Sequence, residues 1–265
     1  MTIELTGVNN PLVKAAAELK QKKHRTERGE FIAEGLRTAE EAVSYGKVRT
    51  LFYTQEAAAG ERMQQLLENA AAQNIKLVCV AENVLKKIAD TETPQGVIAV
   101  CAMPETKLDD LLTSGQMLLV LDRVGDPGNM GTMLRTADAA GIGGVVLLKG
   151  CVDAYAPKTV RSSMGSLFHV PVAAGLDEAA FCRSAQAAGY ELLVTTLDGA
   201  DNLYKADLSG RLAFVMGNEA GGVSDYLLQK ADKKVFIPMQ GRAESLNVAM
   251  AAGIVMFEAL RRQLK

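Results

Sequence analysis

One glycine-rich turn places hydrogen-bonding side chains between a buried strand and a helix. This first turn, residues 119–141, reads LVLDRVGDPGNMGTMLRTADAAG. Arg135 follows Gly131 by one helical turn, so both residues can face the same side of the loop. The turn thus presents polar side chains that could do chemistry, namely Asp122, Arg123, Asp126, Asn129 and Arg135. The alternative is a capping loop with a solvated arginine.

The glycine spacing of the first turn argues against a dinucleotide site. Gly125, Gly128 and Gly131 give G-x-x-G-x-x-G, whereas dinucleotide-binding turns have G-x-G-x-x-G. The acidic residue expected about 20 positions later is also missing, because the next apolar run ends at Lys149 and Gly150. A nicotinamide-dependent oxidoreductase is therefore a weak alternative.

A second turn, residues 214–225, follows an apolar run with Gly217, Asn218 and Glu219. Glycines at the carboxyl end of a parallel strand let a ligand approach the backbone, at the edge where open α/β sheets bind small molecules. Glu219 suits such a site, and it would also suit a helix start, where the helix dipole favours a carboxylate. The second turn predicts a binding site and leaves both roles of its carboxylate open.

A third turn, residues 235–253, follows the last apolar run of the chain. Pro238 removes a backbone donor and forces the strand to end. Ser245 and Asn247 come next, and the final helix is expected to begin near Ser245. We expect Ser245 to cap this helix and to take part in chemistry as well, since the two roles are compatible.

Short apolar runs alternate with helical patterns in the second half of the chain, which is typical of a parallel sheet with helices on both sides. The expected strands cover residues 117–121, 145–148, 169–172, 191–195, 212–216 and 234–237. The polar stretch 105–115 precedes them and is expected to be a linker. Before it, a smaller α/β unit starts with a helix at Pro11, capped by Asn10. The sequence thus predicts an α/β protein with domains at 1–104 and 116–265.

The composition indicates a globular protein without a metal site or a membrane anchor. Of the 265 residues, 48% are apolar and 23% are charged, and no apolar run approaches the roughly 20 residues that cross a bilayer. Four scattered cysteines and two histidines give neither a zinc pattern nor a disulfide framework. We expect reduced thiols and a cytoplasmic location. The net charge of −2 neither indicates nor excludes a nucleic-acid partner.

In this order and at these distances, the three turns resemble the motifs of the SpoU (TrmH) family of RNA 2′-O-ribose methyltransferases, within the SPOUT superfamily. The resemblance covers residues 117–264. It is carried by Asn129, Gly131 and Arg135, by residues 217–221, by Ile237 and Pro238, and by Ser-Leu-Asn-Val at 245–248.

The stretch KKHRTERGEFIAEG, residues 22–35, resembles the ribosomal-protein-L30e-like substrate-binding domain that many members of the family carry. The resemblance therefore implies an L30e-like RNA-binding domain over 1–104 and a SPOUT methyltransferase domain over 116–265. It also implies a parallel sheet with a deep trefoil knot, and a homodimer.

The resemblance further implies a cofactor and its site. S-adenosylmethionine is expected to bind in the turns of the knot, chiefly through backbone groups. The implied cofactor-binding residues are Thr195, Met216, Gly217, Asn218, Ile237, Met239 and Leu246. The implied catalytic residues are Asn129, Arg135, Glu219, Ser245 and Asn247.

Arg135 has two alternative roles in this expectation. Family precedent has it act on the 2′-hydroxyl, but a guanidinium has a pKa above about 12 and is not normally a base in proteins. Arg135 would otherwise clamp the adjacent phosphate and lower the pKa of the hydroxyl, which leaves Glu219 or solvent to take the proton. The dimer would bring Arg135 or Asn129 of one subunit towards the cofactor of the other.

RNA binding is expected on the cations of the N-terminal segment. The predicted RNA-binding residues are Lys22, Lys23, Arg25 and Arg28. Few aromatic residues and no Trp favour contacts with phosphates and RNA shape over base stacking. The expected substrate is structured RNA, with 23S ribosomal RNA favoured over transfer RNA. Two alternatives stay open, a non-catalytic RNA-binding SPOUT relative and a SPOUT enzyme that methylates a base.

Overall fold

The computed structural model describes residues 2–264, so Met1 and Lys265, the outer ends of the two predicted domains, lie outside the described residues. The chain divides into two compact units. Unit 1 contains the chain up to Pro104 together with Asp153–His169, and unit 2 contains Glu105–Val152 together with the chain from Val170 onward.

Unit 1 is built on a mixed sheet. Its strands are β1 (Thr2–Leu5), β2 (Glu30–Glu34), β3 (Val48–Tyr53), β4 (Lys76–Val80) and β5 (Val97–Ala102). They lie in the order β1-β4-β3-β5-β2. The β4 strand pairs in parallel with β1 and β3, and β5 pairs antiparallel with β3 and β2.

The helices of unit 1 cover this sheet. They are α1 (Pro11–Glu18), α2 (Lys22–Arg28), α3 (Leu36–Tyr45), α4 (Gln55–Ala58), α5 (Glu61–Ala72), α6 (Glu82–Ile88) and, numbered in chain order, α9 (Pro157–Ser162). The predicted start of α1 is confirmed, because the Asn10 side chain accepts a hydrogen bond of 2.9 Å from the backbone N–H of Leu12. Val13 and Leu19 then pack with Phe52 in the core.

Residues 153–169 belong to unit 1, although the sequence prediction places them inside the second domain. The Phe31 ring lies 5.0 Å from that of Tyr155 and 5.9 Å from that of Phe168. Burial of these aromatic rings gives the segment its place in the core of unit 1. The segment ends in a 3-10 turn, Ser166–Phe168.

Unit 2 contains a seven-stranded sheet. Its strands are β6 (Leu118–Leu121), β7 (Gly144–Leu148), β8 (Val172–Leu176), β9 (Glu191–Thr195), β10 (Asp201–Asn202), β11 (Leu212–Met216) and β12 (Lys233–Phe236). They lie in the order β10-β12-β9-β11-β6-β7-β8, and every neighbouring pair is parallel. The predicted parallel sheet is confirmed, and the trefoil knot stays a prediction.

One predicted strand, 169–172, is wrong in its bounds. The strand β8 begins only after Pro171, whose ring nitrogen has no N–H to donate to a neighbouring strand. The carbonyl of Pro171 still accepts from the N–H of Val145, which fixes the start of the β7–β8 pair.

Helices lie on both faces of the sheet of unit 2. They are α7 (Leu108–Ser114), α8 (Pro127–Ala139), α10 (Glu178–Ala187), α11 (Asp225–Lys230) and α12 (Val248–Gln263). Leu111, Phe181 and Leu227, from three of these helices, pack in one core with Val120. Leu119 is also fully buried, and its side chain points to the opposite face because neighbours in a strand alternate. The helices α8 and α12 pack together and contact β7 and β11.

The predicted linker 105–115 contains α7, because Leu111 and Leu112 bury their side chains in the core of unit 2. Between residues 2 and 264, no helix combines the length and the apolar character that a membrane span requires.

Candidate active site

A cavity of about 680 Å³ opens in unit 2 where three parallel strands end. Its walls come from residues 195–198 at the end of β9, 216–223 at the end of β11, 235–237 and 239 at the end of β12, and 244–248 at the start of α12. The carboxyl ends of parallel strands meet at one edge of the sheet, which is where open α/β sheets bind ligands. The volume lies within the range of about 300–1,000 Å³ that is typical of small-molecule sites.

The second turn forms a tight hairpin along this cavity. Asn218 and Gly222 exchange two backbone hydrogen bonds, each of 2.9 Å. A Cβ on Gly217 would lie 2.2 Å from the carbonyl carbon of Gly222, and Gly222 itself has a φ of +65°. A side chain does not fit at Gly217, and the positive φ favours glycine at position 222, so the two glycines keep the backbone of the turn close to the cavity.

All seven residues predicted to bind the cofactor line this cavity. They are Thr195, Met216, Gly217, Asn218, Ile237, Met239 and Leu246. Met216 is buried, whereas Leu246 keeps 38% of its surface exposed. Apolar side chains beside accessible backbone groups suit a ligand with a nucleoside part, so the residues present fit S-adenosylmethionine.

The cavity wall also contains polar and apolar residues that the sequence did not indicate, among them Leu197, Asp198 and Glu244. Leu197 and Asp198 lie between β9 and Gly199, so the available signal was a glycine just beyond a buried strand. The wall thus holds two carboxylates in addition to Glu219.

A chain of hydrogen bonds joins the three turns beside the cavity. Asn129 Nδ2 donates to Glu219 Oε1 at 3.0 Å, and Asn247 Nδ2 donates to Asn129 Oδ1 at 2.9 Å. Glu219 also accepts from the backbone N–H groups of Gly125 and Asp126, at 3.1 Å each. The fold therefore brings together three of the five predicted catalytic residues.

These donors keep Glu219 ionised. Desolvation alone raises the pKa of its carboxyl group, but the hydrogen bonds from the Asn129 side chain and from the amides of Gly125 and Asp126 outweigh it. The pKa therefore lies below its ordinary value of 4.5. With the bond of 3.4 Å from Asn218 Nδ2, the carboxylate accepts four hydrogen bonds. It is therefore a poor proton acceptor, and its role is to orient Asn129.

Asn247, rather than Ser245, caps the final helix. Its Oδ1 accepts from the N–H of Ala249 at 2.9 Å and from that of Met250 at 3.3 Å. The prediction that the helix begins near Ser245 is therefore wrong, because α12 begins at Val248. Ser245 lies in the exposed loop before the helix and lines the cavity.

Arg135 stands apart from the other predicted catalytic residues. It lies on the exposed side of α8, does not line the cavity, and forms no hydrogen bond or ion pair with any residue in the range 2–264. Six residues separate it from Asn129, which in an α-helix corresponds to about 9 Å along the axis and about 120° around it. Its guanidinium therefore has all its donors available to a ligand.

Arg25 is buried, and this removes it from the predicted RNA-binding residues. Its Nε and Nη2 donate to Asp153 at 3.0 and 2.6 Å, and its Nη1 donates to the carbonyls of Leu19 and Lys20 at 2.8 Å each. Only 3% of the residue is exposed. Arg25 therefore holds α2 to the rest of unit 1 and is inaccessible to RNA.

The other three predicted RNA-binding cations lie at the surface of unit 1. Arg28 is paired with Glu18. Lys23 is 74% exposed and lies 3.9 Å from Glu27. Lys22 is exposed and has no ion pair among the residues that the structure describes. Arg28 is exposed as well, but its guanidinium binds Glu18, so the two lysines are the cations of the predicted patch that are most available to RNA.

No metal-binding group is found in the described part of the chain, where three or more His, Cys, Asp or Glu side chains never come together in a suitable arrangement. All four cysteines are free thiols.

The fold and the site define an α/β protein whose small-molecule cavity is formed by turns at the carboxyl edge of a parallel sheet. Comparison with known families narrows this class. Residues 116–257 match the SpoU rRNA Methylase family, and residues 10–99 match the MRM3-like substrate binding domain.

Individual relatives align with nearly the whole chain. The 23S rRNA (guanosine(2553)-2′-O)-methyltransferase RlmP of Bacillus subtilis is 38% identical over 255 residues, which cover 96% of this chain and 98% of the relative. The 23S rRNA (uridine(2479)-2′-O)-methyltransferase of Streptomyces viridochromogenes is 33% identical over 98% of this chain and 92% of its own. The crystal structure of the AdoMet bound rRNA methyltransferase from Sinorhizobium meliloti superimposes with a TM-score of 0.88 at 36% identity, covering 100% of this chain and 99% of that one.

The chain therefore belongs to the SpoU rRNA methylase family. The predictions of the family, of a SPOUT-type α/β fold and of a methyltransferase are confirmed. The alternative of a non-catalytic relative is not favoured, because these relatives are named as enzymes.

Proposed function

We propose that this chain transfers a methyl group from S-adenosylmethionine to a ribose 2′-hydroxyl of 23S ribosomal RNA. Two relatives named for this reaction align with at least 96% of the chain, and the neighbour from Sinorhizobium meliloti binds AdoMet. The observation that carries the proposal is the cavity, since all seven predicted cofactor residues line it beside the chain of hydrogen bonds from Asn247 to Glu219.

The residues of the chain have to align the ribose oxygen and accommodate its proton. When bound, S-adenosylmethionine supplies a methyl group on a positively charged sulfonium. Asn129 is fixed at both ends of its amide, because it donates to Glu219 and accepts from Asn247. An amide nitrogen has two N–H donors, so Asn129 keeps a second one for the ribose or its phosphate.

Arg135 acts as a clamp in this proposal. A guanidinium stays protonated in proteins, and its planar fork binds a phosphate through two parallel hydrogen bonds. Positive charge beside the 2′-hydroxyl lowers the pKa of that hydroxyl, so the proton passes to solvent. Glu219 does not take it, because its oxygens already accept from four donors.

A homodimer is part of the proposal. Met250, Phe257 and Leu264 recur every seven residues along α12 and at its end, and they are 61%, 46% and 79% exposed. Such an apolar stripe on one face of a helix marks an interaction surface. The α12 helix packs beside α8, which carries Arg135, so a second copy on this surface would bring its Arg135 to the cavity of the first.

Mixed dimers test this arrangement. Variants with Arg135→Ala and with Glu219→Gln are each expected to lose most of their activity. When the two variants are co-expressed, a dimer with sites shared between subunits contains one intact site and regains activity. Mixing that restores nothing would contradict the shared site, and sedimentation reports separately whether the dimer forms.

The RNA-binding surface is assigned to unit 1, with Lys22 and Lys23 as its accessible cations. Residues 10–99 match a substrate binding domain, which supports this assignment. A cytoplasmic location also belongs to the proposal, because the relatives act on ribosomal RNA and the four cysteines are free thiols. The relatives modify guanosine in one case and uridine in another, so the fold does not fix the base.

Methyl transfer to ribosomal RNA from a strain that lacks this protein tests the proposed function. Labelled S-adenosylmethionine is expected to label 23S RNA, and the label should remain in an alkali-resistant dinucleotide because a 2′-O-methyl group blocks hydrolysis. RNA from the parent strain is the control, since its site is already modified. Label in a base, or none despite cofactor binding, would contradict the proposal.

A further inference from the structure

Asp122 connects the first turn to the end of the second turn. It directly follows β6 and is only 2% exposed. Its Oδ2 accepts a hydrogen bond of 2.8 Å from the backbone N–H of Ser224, the residue that caps α11. Its two oxygens also accept from Nε and Nη2 of Arg123, at 2.9 and 3.0 Å.

Arg123 connects the first turn to the start of the second turn. Its φ is +54°, a left-handed conformation that is uncommon for a residue other than glycine. In this conformation its carbonyl accepts a hydrogen bond of 2.8 Å from Asn218 Nδ2. The ion pair with Asp122 keeps the side chain in place and thereby supports the unusual backbone.

Besides the pairing of β6 with β11, side chains attach the second turn to the first at three points. Asn218 binds the carbonyl of Arg123, Glu219 binds the amides of Gly125 and Asp126, and the N–H of Ser224 binds Asp122. Asp122 does not line the cavity, so it has no contact with a ligand bound there.

We propose that Asp122 is a positioning residue for methyl transfer. By holding Arg123 and Ser224 it sets the distance between the first turn and Glu219, and through Glu219 the orientation of Asn129. The proposal rests on the proposed function of the cavity. It assigns a role in the reaction to a buried carboxylate that touches neither substrate nor cofactor.

Asp122→Asn tests the proposal, because it keeps the size of the side chain and removes its charge. The kcat of methyl transfer is expected to fall about 10- to 100-fold, since a misplacement of about 1 Å is enough for such a loss. The Kd of S-adenosylmethionine, measured by calorimetry, should change by less than about threefold, because the loss concerns the transition state rather than the ground state.

Asp177→Ala is the control for a loss of stability, because alanine cannot cap a helix. Asp177 is also in unit 2 and caps α10 through the amides of Ala179 and Ala180, at 3.1 and 3.2 Å. This variant should lose stability and keep its kcat. If it lowers kcat as much as Asp122→Asn does, the effect is one of general stability and the proposal is overturned.

A second readout does not depend on activity. Carbon-13 titration of Glu219 should give a pKa below 4.5 in the wild type and a pKa nearer 4.5 in Asp122→Asn, because the amides of Gly125 and Asp126 move away. An unchanged pKa overturns the positioning role. If the wild type transfers no methyl group, the proposed function fails, whereas a raised pKa in the variant still supports the attachment of the two turns.

Discussion

Two arginines, one in each unit, differ in what their guanidinium groups bind. Arg25 of unit 1 is 3% exposed and donates four hydrogen bonds, two to Asp153 and two to backbone carbonyls. Arg135 of unit 2 is exposed and has no partner among residues 2–264. An arginine whose donors are satisfied within its own unit stabilises that unit, and one with all donors available is suited to a phosphate or a hydroxyl.

The polar residues around the two arginines show the same difference. Asp153 accepts from Arg25 through Oδ2 and from the backbone N–H of Tyr155 through Oδ1, and the ion pair is almost fully buried. Beside the cavity, Asn129 and Glu219 are oriented by hydrogen bonds and keep contact with solvent, since Asn129 is half-buried and Glu219 is exposed. Burial thus separates polar groups that hold the fold from polar groups that are fixed in place for a ligand.

The largest effect is expected when Arg25 is removed. Arg25→Ala leaves the Asp153 carboxylate and two carbonyls without their donor, and breaking a buried pair in this way costs about 3–5 kcal/mol of unfolding free energy. Denaturant unfolding measures the loss. Arg49→Ala is the control, because its pair with Glu30 is 61% exposed at the arginine and should contribute under about 1 kcal/mol. Equal losses of unfolding free energy in the two variants would contradict the structural role of the buried Arg25 pair.

Replacing Arg135 should lower activity and leave stability unchanged, the opposite of what is expected for Arg25. Arg135→Ala is expected to lower kcat by about 100- to 1,000-fold, the usual loss for one group that stabilises charge in the transition state. Its unfolding free energy should stay close to that of the wild type, because no hydrogen bond or ion pair among residues 2–264 is lost. Arg183→Ala, which removes an exposed arginine of α10, serves as the control and should retain full activity. A destabilised Arg135→Ala would contradict the absence of a structural role.

Glu219→Gln should lower kcat less than Arg135→Ala does, and should lower the unfolding free energy less than Arg25→Ala does. The neutral amide turns one acceptor into a donor that faces the N–H of Gly125 or Asp126, which should lower kcat about tenfold and stability by about 1 kcal/mol at this exposed position. Because the pKa of Glu219 is lowered in the folded protein, its contribution to stability is present above 4.5 and is lost as the pH falls through the lowered pKa.

The lowered pKa of Glu219 predicts how the stability of the two proteins depends on pH. The stability difference between wild type and Glu219→Gln should be constant from about pH 5 to 8 and should shrink in more acidic solution. Unfolding measured across this range checks it. A difference that grows on acidification would mean that Glu219 is protonated in the folded protein and could serve as the base.

The residues of the cavity could be predicted from the sequence because the patterns that indicate them are local. A glycine that directly follows a buried strand marks the edge of the sheet, and this holds for Gly217 as the structure places it. The burial of Arg25 could not be predicted in this way, because its partner Asp153 lies 128 residues away in the sequence. Ser245 and Asn247 are both good helix caps only two residues apart, so the pattern did not decide between them.

The smallest effect is expected at the exposed lysines of α2, where the comparison between buried and accessible cations can be sharpened. Lys22→Gln with Lys23→Gln should weaken RNA binding a few-fold and lower the slope of log affinity against log salt concentration by about 1.5, because two phosphate contacts are lost. Lys47→Gln with Lys76→Gln changes the net charge of unit 1 equally and should leave the slope unchanged. Affinity for S-adenosylmethionine should stay constant in both variants, since its cavity lies in unit 2. If both pairs lower the slope equally, RNA responds to overall charge rather than to this patch, and exposure alone does not identify the cations that bind it.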